Sequence, residues 1–78
     1  GVLKDLRGDW AQATGHYRMA IEAAPTEAEP WNNLGFSLLL QGDYKAAERY
    51  FTEALQRDRD LAQARQNLRL ALAFQRRY

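Results

Sequence analysis

The sequence predicts an all-α fold of helix–turn–helix units stacked side by side, and three observations point there. The chain aligns with itself at an offset of 34 residues. Gly8-Asp9-Trp10 falls on Gly42-Asp43-Tyr44, Ala13 on Ala47, Tyr17 on Phe51 and Ala20-Ile21 on Ala54-Leu55. The register persists, with Ala28 on Ala62, Asn33-Leu34 on Asn67-Leu68 and Leu38 on Leu72. Self-similarity at a fixed period of this length marks small units that cannot bury their apolar faces alone and so must stack. Apolar residues also recur at helical spacing, and no stretch alternates as a strand would. Finally, Gly-Asp pairs stand one period apart, a glycine suited to a helix end and an aspartate suited to the next helix start.

Four full helices follow, at 9–23, 28–41, 43–57 and 61–76. Residues 1–6 read as the tail of an earlier helix, because Gly1 lines up with Gly35. Gly8-Asp9 would then be a turn, and the chain would begin inside a repeat. In the 9–23 and 43–57 helices rings and small residues alternate, as in Tyr44, Ala47, Phe51 and Ala54. The alanines let two backbones approach and the rings fill the grooves between them. Thr26-x-x-Glu29 and Asp60-x-x-Gln63 have the pattern of capping boxes at the starts of the second and fourth helices. Pro25 closes the first unit, and Pro30 falls near a first helical turn, where proline costs least. The 61–76 helix carries Arg65 and Arg69 where the preceding unit has Trp31 and Gly35. Arginines there suggest a polar helix that caps the stack. The organisation expected is one domain over 1–78: a partial repeat at 1–25, a complete repeat at 28–61 and a capping helix at 62–78.

Composition narrows the function. With 78 residues, 46% hydrophobic and 27% charged, the core is thin; domains of this size bury roughly 60–65% of their unfolded surface. Cysteine is absent, which excludes disulfides and thiolate metal sites. No apolar run approaches the ~20 residues needed to cross a bilayer. A net charge of +1 argues against nucleic acid, whose binding domains are strongly basic. The charge is nonetheless uneven. Residues 19–56 carry Glu22, Glu27, Glu29, Asp43, Glu48 and Glu53 against Lys45 and Arg49, while residues 57–78 carry six arginines against Asp58 and Asp60.

Enzymatic chemistry fails on inventory. His16 is the one histidine and Ser37 the one serine, and the carboxylates fall at caps or mid-helix surface positions. Gly35 and Gly42 lack the strand and glycine spacing of a phosphate loop. One histidine with scattered acids is insufficient for a metal, and no cofactor is expected.

Residues 28–61 resemble a tetratricopeptide repeat, with Trp31, Leu34-Gly35, Leu38, Gly42, Tyr44, Ala47, Phe51 and Ala54 at that family's signature spacings. Residues 8–25 resemble the second half of another such repeat. Leu38 stands where the family often has tyrosine, and Arg59 where it often has proline. The resemblance implies a short right-handed superhelix whose first helices line a concave groove for a partner peptide or helix. Carried over by position, the groove candidates are Asn32, Asn33, Phe36, Leu39, Leu40, Gln63, Asn67, Leu70 and Phe74, with Glu29 and Gln66 beside them and Val2, Asp5 and Leu6 from the N-terminal remnant. Asn33 and Asn67 share one register, and an amide both donates to and accepts from a peptide backbone. The carboxylate clamp of some family members is disfavoured, because Asn32, Gln63 and Asn67 stand where its other groups belong, leaving Asn33 alone. A narrower likeness, carried by Asn32-Asn33-Leu34-Gly35-Phe36-Ser37 and Ala64-Arg65-Gln66-Asn67-Leu68, resembles tetratricopeptide lipoproteins of tight-adherence (Flp) pilus assembly. It implies an assembly factor of the bacterial envelope; without it the compartment stays open.

The reading is therefore a protein-interaction scaffold, not an enzyme, with a protein or peptide partner. The alternative is structural. A chain begun mid-repeat leaves Trp10, Tyr17 and Ile21 as an uncovered apolar face, through which two copies would dimerise.

Overall fold

The computed structural model describes residues 6–76, with side chains described for 11–76. It contains four helices: α1 (Leu6–Ala23), α2 (Ala28–Leu40), α3 (Tyr44–Arg57) and α4 (Ala62–Gln75). No strand occurs among the described residues, and the fold is all-α. Connections of a few residues force successive helices to lie antiparallel. Helix α2 is central, lying against α1, α3 and α4; α3 packs on both α2 and α4, whereas among the described residues the α1 backbone comes close to that of α2 alone.

The α2–α3 hairpin is the tightest part, and its sequence explains why. Gly35 has no side chain, and a Cβ built there would stand 2.7 Å from the Phe51 ring. The ring therefore lies directly on the α2 backbone, and Phe51 is fully buried. Ala47 and Ala54, one turn to either side of it, are also fully buried, so the two helices close along their whole contact. Leu39, Ala47, Phe51 and Ala71 form one core cluster, with Leu38, Tyr44, Leu68 and Phe74 against it. Ala28, Ala54 and Ala64 form the second. Burying a side chain of this size stabilises by roughly 1.5–3 kcal/mol, so Leu34 and Phe51, the two large side chains completely enclosed, dominate the core.

The turn at Gly42-Asp43 forms as the sequence predicts. Gly42 takes φ +89°, a left-handed conformation glycine adopts without steric cost. Asp43 then caps α3, its Oδ1 accepting from the Ala46 N–H at 3.3 Å. The equivalent pair at Gly8-Asp9 does not form a turn, because α1 runs unbroken from Leu6 across both residues. A single glycine inside a helix costs about 1 kcal/mol, too little to stop a helix by itself. The two predicted capping boxes are also absent. Glu27 and Leu61 occupy the N-cap positions, and neither makes a side-chain cap. Thr26 and Asp60 therefore stand one residue too early. At the second site Asp58 turns the chain instead, its Oδ1 accepting from the Asp60 N–H at 3.0 Å.

One arginine closes the top of the stack. Arg57 Nε donates to the Pro25 carbonyl at 2.5 Å, and Trp31 Nε1 donates to the same oxygen at 3.1 Å. The guanidinium lies 3.9 Å from the Trp31 ring centroid and pairs with Glu53 at 2.8 Å. Trp31 in turn sits 5.8 Å from Tyr50, centroid to centroid. Through these contacts the α1–α2 connection is fastened to the end of α3.

Candidate functional site

Helices α2 and α4 meet along only a short stretch, and a groove of ≈330 Å³ opens between them. Asn32, Asn33 and Phe36 come from α2, Gln63, Gln66 and Asn67 from α4, and Tyr17 closes one side from α1. Helical periodicity explains the assembly. Residues three and four apart share a face, so the same amide-rich stripe recurs one period later on the facing helix. Among the described residues no Asp, Glu, Lys or Arg side chain lines this groove.

The amides are ordered among themselves. Asn67 Nδ2 donates to Asn32 Oδ1 at 3.1 Å. Asn32 is 5% exposed, and a buried amide without a partner would be costly; this bond supplies one. Asn33 stays exposed at the groove wall. Asn33 and Asn67, matched in register, line the same groove, but the bond Asn67 makes is to Asn32, because neighbouring helices cross at an angle and shift their side chains relative to one another.

Phe36, Leu40 and Leu70 are 42%, 55% and 45% exposed and continue the groove stripes of their helices by spacing. Two other expected groove residues serve the interior. Leu39 is only 7% exposed and belongs to the core with Ala47, Phe51 and Ala71, one helical step away from exposed Leu40. Phe74 is half-buried against that same cluster, its ring stacked on Tyr44 at 5.0 Å and 21°. Val2 and Asp5, and the side chains of Leu6 and Trp10, lie outside the described residues.

Tyr17 and Ile21 do not form a bare face. Both are half-buried, because α1 turns them toward α2. Tyr17 lines the amide groove, and Ile21 faces Trp31, Leu34 and Tyr50 in a small cleft of ≈190 Å³. Tyr17 as a groove residue was missed: read as half of an apolar contact face, it gave no sign of reaching the neighbouring wall. A larger depression of ≈650 Å³ is lined by α3 with its N-cap Asp43, by Leu38 and by Arg18. Asp43, Glu48 and Glu53 there face Lys45 and Arg49, a mixture that selects no charged ligand. His16 is exposed on α1. Among the described residues no His, Cys, Asp and Glu side chains cluster to hold a metal, and no helix is long and apolar enough to cross a membrane.

Residues 28–61, the α2–α3 hairpin with the turn that follows it, match the family model of the tetratricopeptide repeat. Over those residues the chain is similar to that family, whose repeats are typically non-catalytic protein-interaction modules. No curated protein matches the chain, and the narrower resemblance to pilus-assembly lipoproteins gains no support.

Proposed function

We propose that this tetratricopeptide-type chain is an interaction scaffold whose α2–α4 groove receives an uncharged polypeptide segment of a partner. The observation that carries the reading is the groove's lining, which among the described residues is five amide side chains and two aromatic rings without a formal charge. Each amide offers a donor and an acceptor, the pairing that a main-chain peptide unit itself presents. The Asn32–Asn67 bond fixes two of these amides in place, so less ordering is needed when a partner arrives. Phe36, Leu40 and Leu70 extend the wall with exposed apolar surface suited to an apolar side chain of the incoming segment.

Charged termini fit this lining poorly, because a carboxylate would lose hydration without meeting a cation. The partner segment is therefore internal, and its binding changes little with salt, since screening acts on charges. The half-buried placement of Tyr17 and Ile21 gives no support to the alternative of self-association through α1.

The test uses an array of short, end-capped peptides of varied sequence. Wild-type protein should capture a set low in charge, equally at low and high salt. Asn33→Ala and Phe36→Ala together should weaken capture about tenfold or more, a loss of ~1.4 kcal/mol, with the helical circular dichroism unchanged. Undiminished capture by that double variant, or selection of peptides for a free C-terminal carboxylate, would overturn the proposal.

A further inference from the structure

Helix α4 has three faces. Leu61, Ala64, Leu68 and Ala71 turn toward the core, and Gln63, Gln66 and Asn67 line the amide groove. The third face runs through Arg65, Arg69, Leu72 and Arg76, which recur every three to four residues and are all exposed. One period earlier its register is Trp31, Gly35 and Leu38 of α2 and Gly42 of the turn that follows, and α3 lies on this stripe at Gly35 and Trp31 through Phe51 and Tyr50. The outer face of α4 is thus built at the place where a further helix would seat, and nothing within the described residues covers it.

The chemistry of that face selects what can sit there. Arg69, Leu72, Ala73 and Arg76 line a hollow of ≈360 Å³, with Leu72 40% exposed between the two arginines. Helix α4 contains no acidic residue, and Arg65, Arg69 and Arg76 have no ion-pair partner among the described residues. A helix resembling α3 would bring a ring onto Arg69 where Phe51 meets Gly35, burying a guanidinium unpaired, which is strongly unfavourable. A second copy offering its own α3 meets a further obstacle: Glu48 there already accepts from Gln75 at 2.8 Å, and Glu53 pairs with Arg57.

We propose that the outer face of α4 docks an acidic amphipathic helix from a partner protein. The helix lies on α4 much as α3 lies on α2, setting carboxylates against Arg69 and Arg76 and an apolar side chain over Leu72 and Ala73. Arginine suits this role, because its planar fork donates two parallel hydrogen bonds to a carboxylate. The site is separate from the amide groove and differs in kind: it is charged, and it is sensitive to salt.

The probe is a synthetic end-capped helical peptide with two glutamates seven residues apart around a central leucine. A counterpart carries lysine at both glutamate positions. Titrated into isotope-labelled protein, the glutamate peptide should shift the amide signals of Arg69, Leu72, Ala73 and Arg76 and leave those of Asn33 and Phe36 in place. Affinity should fall several-fold between about 0.05 and about 0.3 M salt, where the screening length shortens from more than 10 Å to less than 8 Å. The R69E/R76E variant, altered only at exposed positions, should keep its helical spectrum, lose the glutamate peptide by at least about tenfold and gain the lysine peptide. Overturning results are shifts centred on the amide groove, equal binding of both peptides, or R69E/R76E binding the glutamate peptide as the wild type does. α4 signals that move with protein concentration alone would assign the face to a second copy. Binding of anionic lipid vesicles with no response to the glutamate peptide would assign it to a membrane surface. Either would sink the proposal.

Discussion

Helices α2 and α4 stand one period apart and share Ala28/Ala62, Asn33/Asn67, Leu34/Leu68 and Leu38/Leu72, yet only α2 is enclosed on both flanks. The difference lies in two positions. Gly35 admits the Phe51 ring onto the backbone, whereas Arg69 at the matching place extends into solvent. Trp31 is gripped by Tyr50, Arg57 and the Pro25 carbonyl, whereas Arg65 is exposed. Residue size and charge on one stripe therefore set whether a neighbouring helix like α3 can lie on it, while the stripe facing the amide groove keeps its character in both helices.

That contrast can be broken most strongly at Phe51. Truncation to alanine removes the side chain that α2 was shaped to receive and leaves a cavity, at a cost of about 3–5 kcal/mol. Such a loss approaches the whole stability of a domain this small, roughly 0.05–0.15 kcal/mol per residue; Phe51→Ala should unfold or melt far earlier in a thermal scan. A melting temperature within a few degrees of the wild type would mean that the α2–α3 contact does not carry the fold.

Gly35→Ala against Arg69→Ala sharpens the comparison directly. The added methyl at Gly35 meets Phe51 at 2.7 Å, and such overpacking costs about 1–3 kcal/mol, more than the ~1 kcal/mol that alanine gains over glycine in a helix. Arg69→Ala, on an exposed helix surface, should stay within about 0.5 kcal/mol. Denaturant titrations of the two variants should diverge, and equal midpoints would show the two stripes to be equivalent after all. The smallest effect concerns the turns. Asp43→Ala removes a real cap and should cost ~1 kcal/mol, whereas Thr26→Ala, outside the N-cap of α2, should be near neutral. Matching losses for both would mean that Thr26 caps α2 in solution.

Much of this architecture was legible because it rests on local chemistry repeated at a fixed interval. Gly42-Asp43, the buried alanines and the Phe51 seat each announce themselves through residue type and spacing. Where the reading went astray, the missing information was three-dimensional. Gly8-Asp9 has the same letters as Gly42-Asp43 but lies within a continuous helix, because the dipeptide permits a turn without compelling one. Leu39 and Leu40 are adjacent and equally apolar, and a rotation of about 100° sends one inward and the other to solvent. Asn67 reaching Asn32 depends on how α2 and α4 cross, and Tyr17 joining the groove depends on how α1 leans. Neither quantity is written in any short stretch of chain.

Among the described residues the α1 backbone runs close to that of α2 and of no other helix, and beyond that seam the α1–α2 connection is held at the Pro25 carbonyl by Arg57 and Trp31. The molecule is thus fastened like a door leaf on one long hinge with one latch. When it opens, α1 should swing away first as an intact rod, its amides exchanging with solvent sooner than those of α3, and releasing the latch should loosen that leaf while the hairpin behind it stays shut.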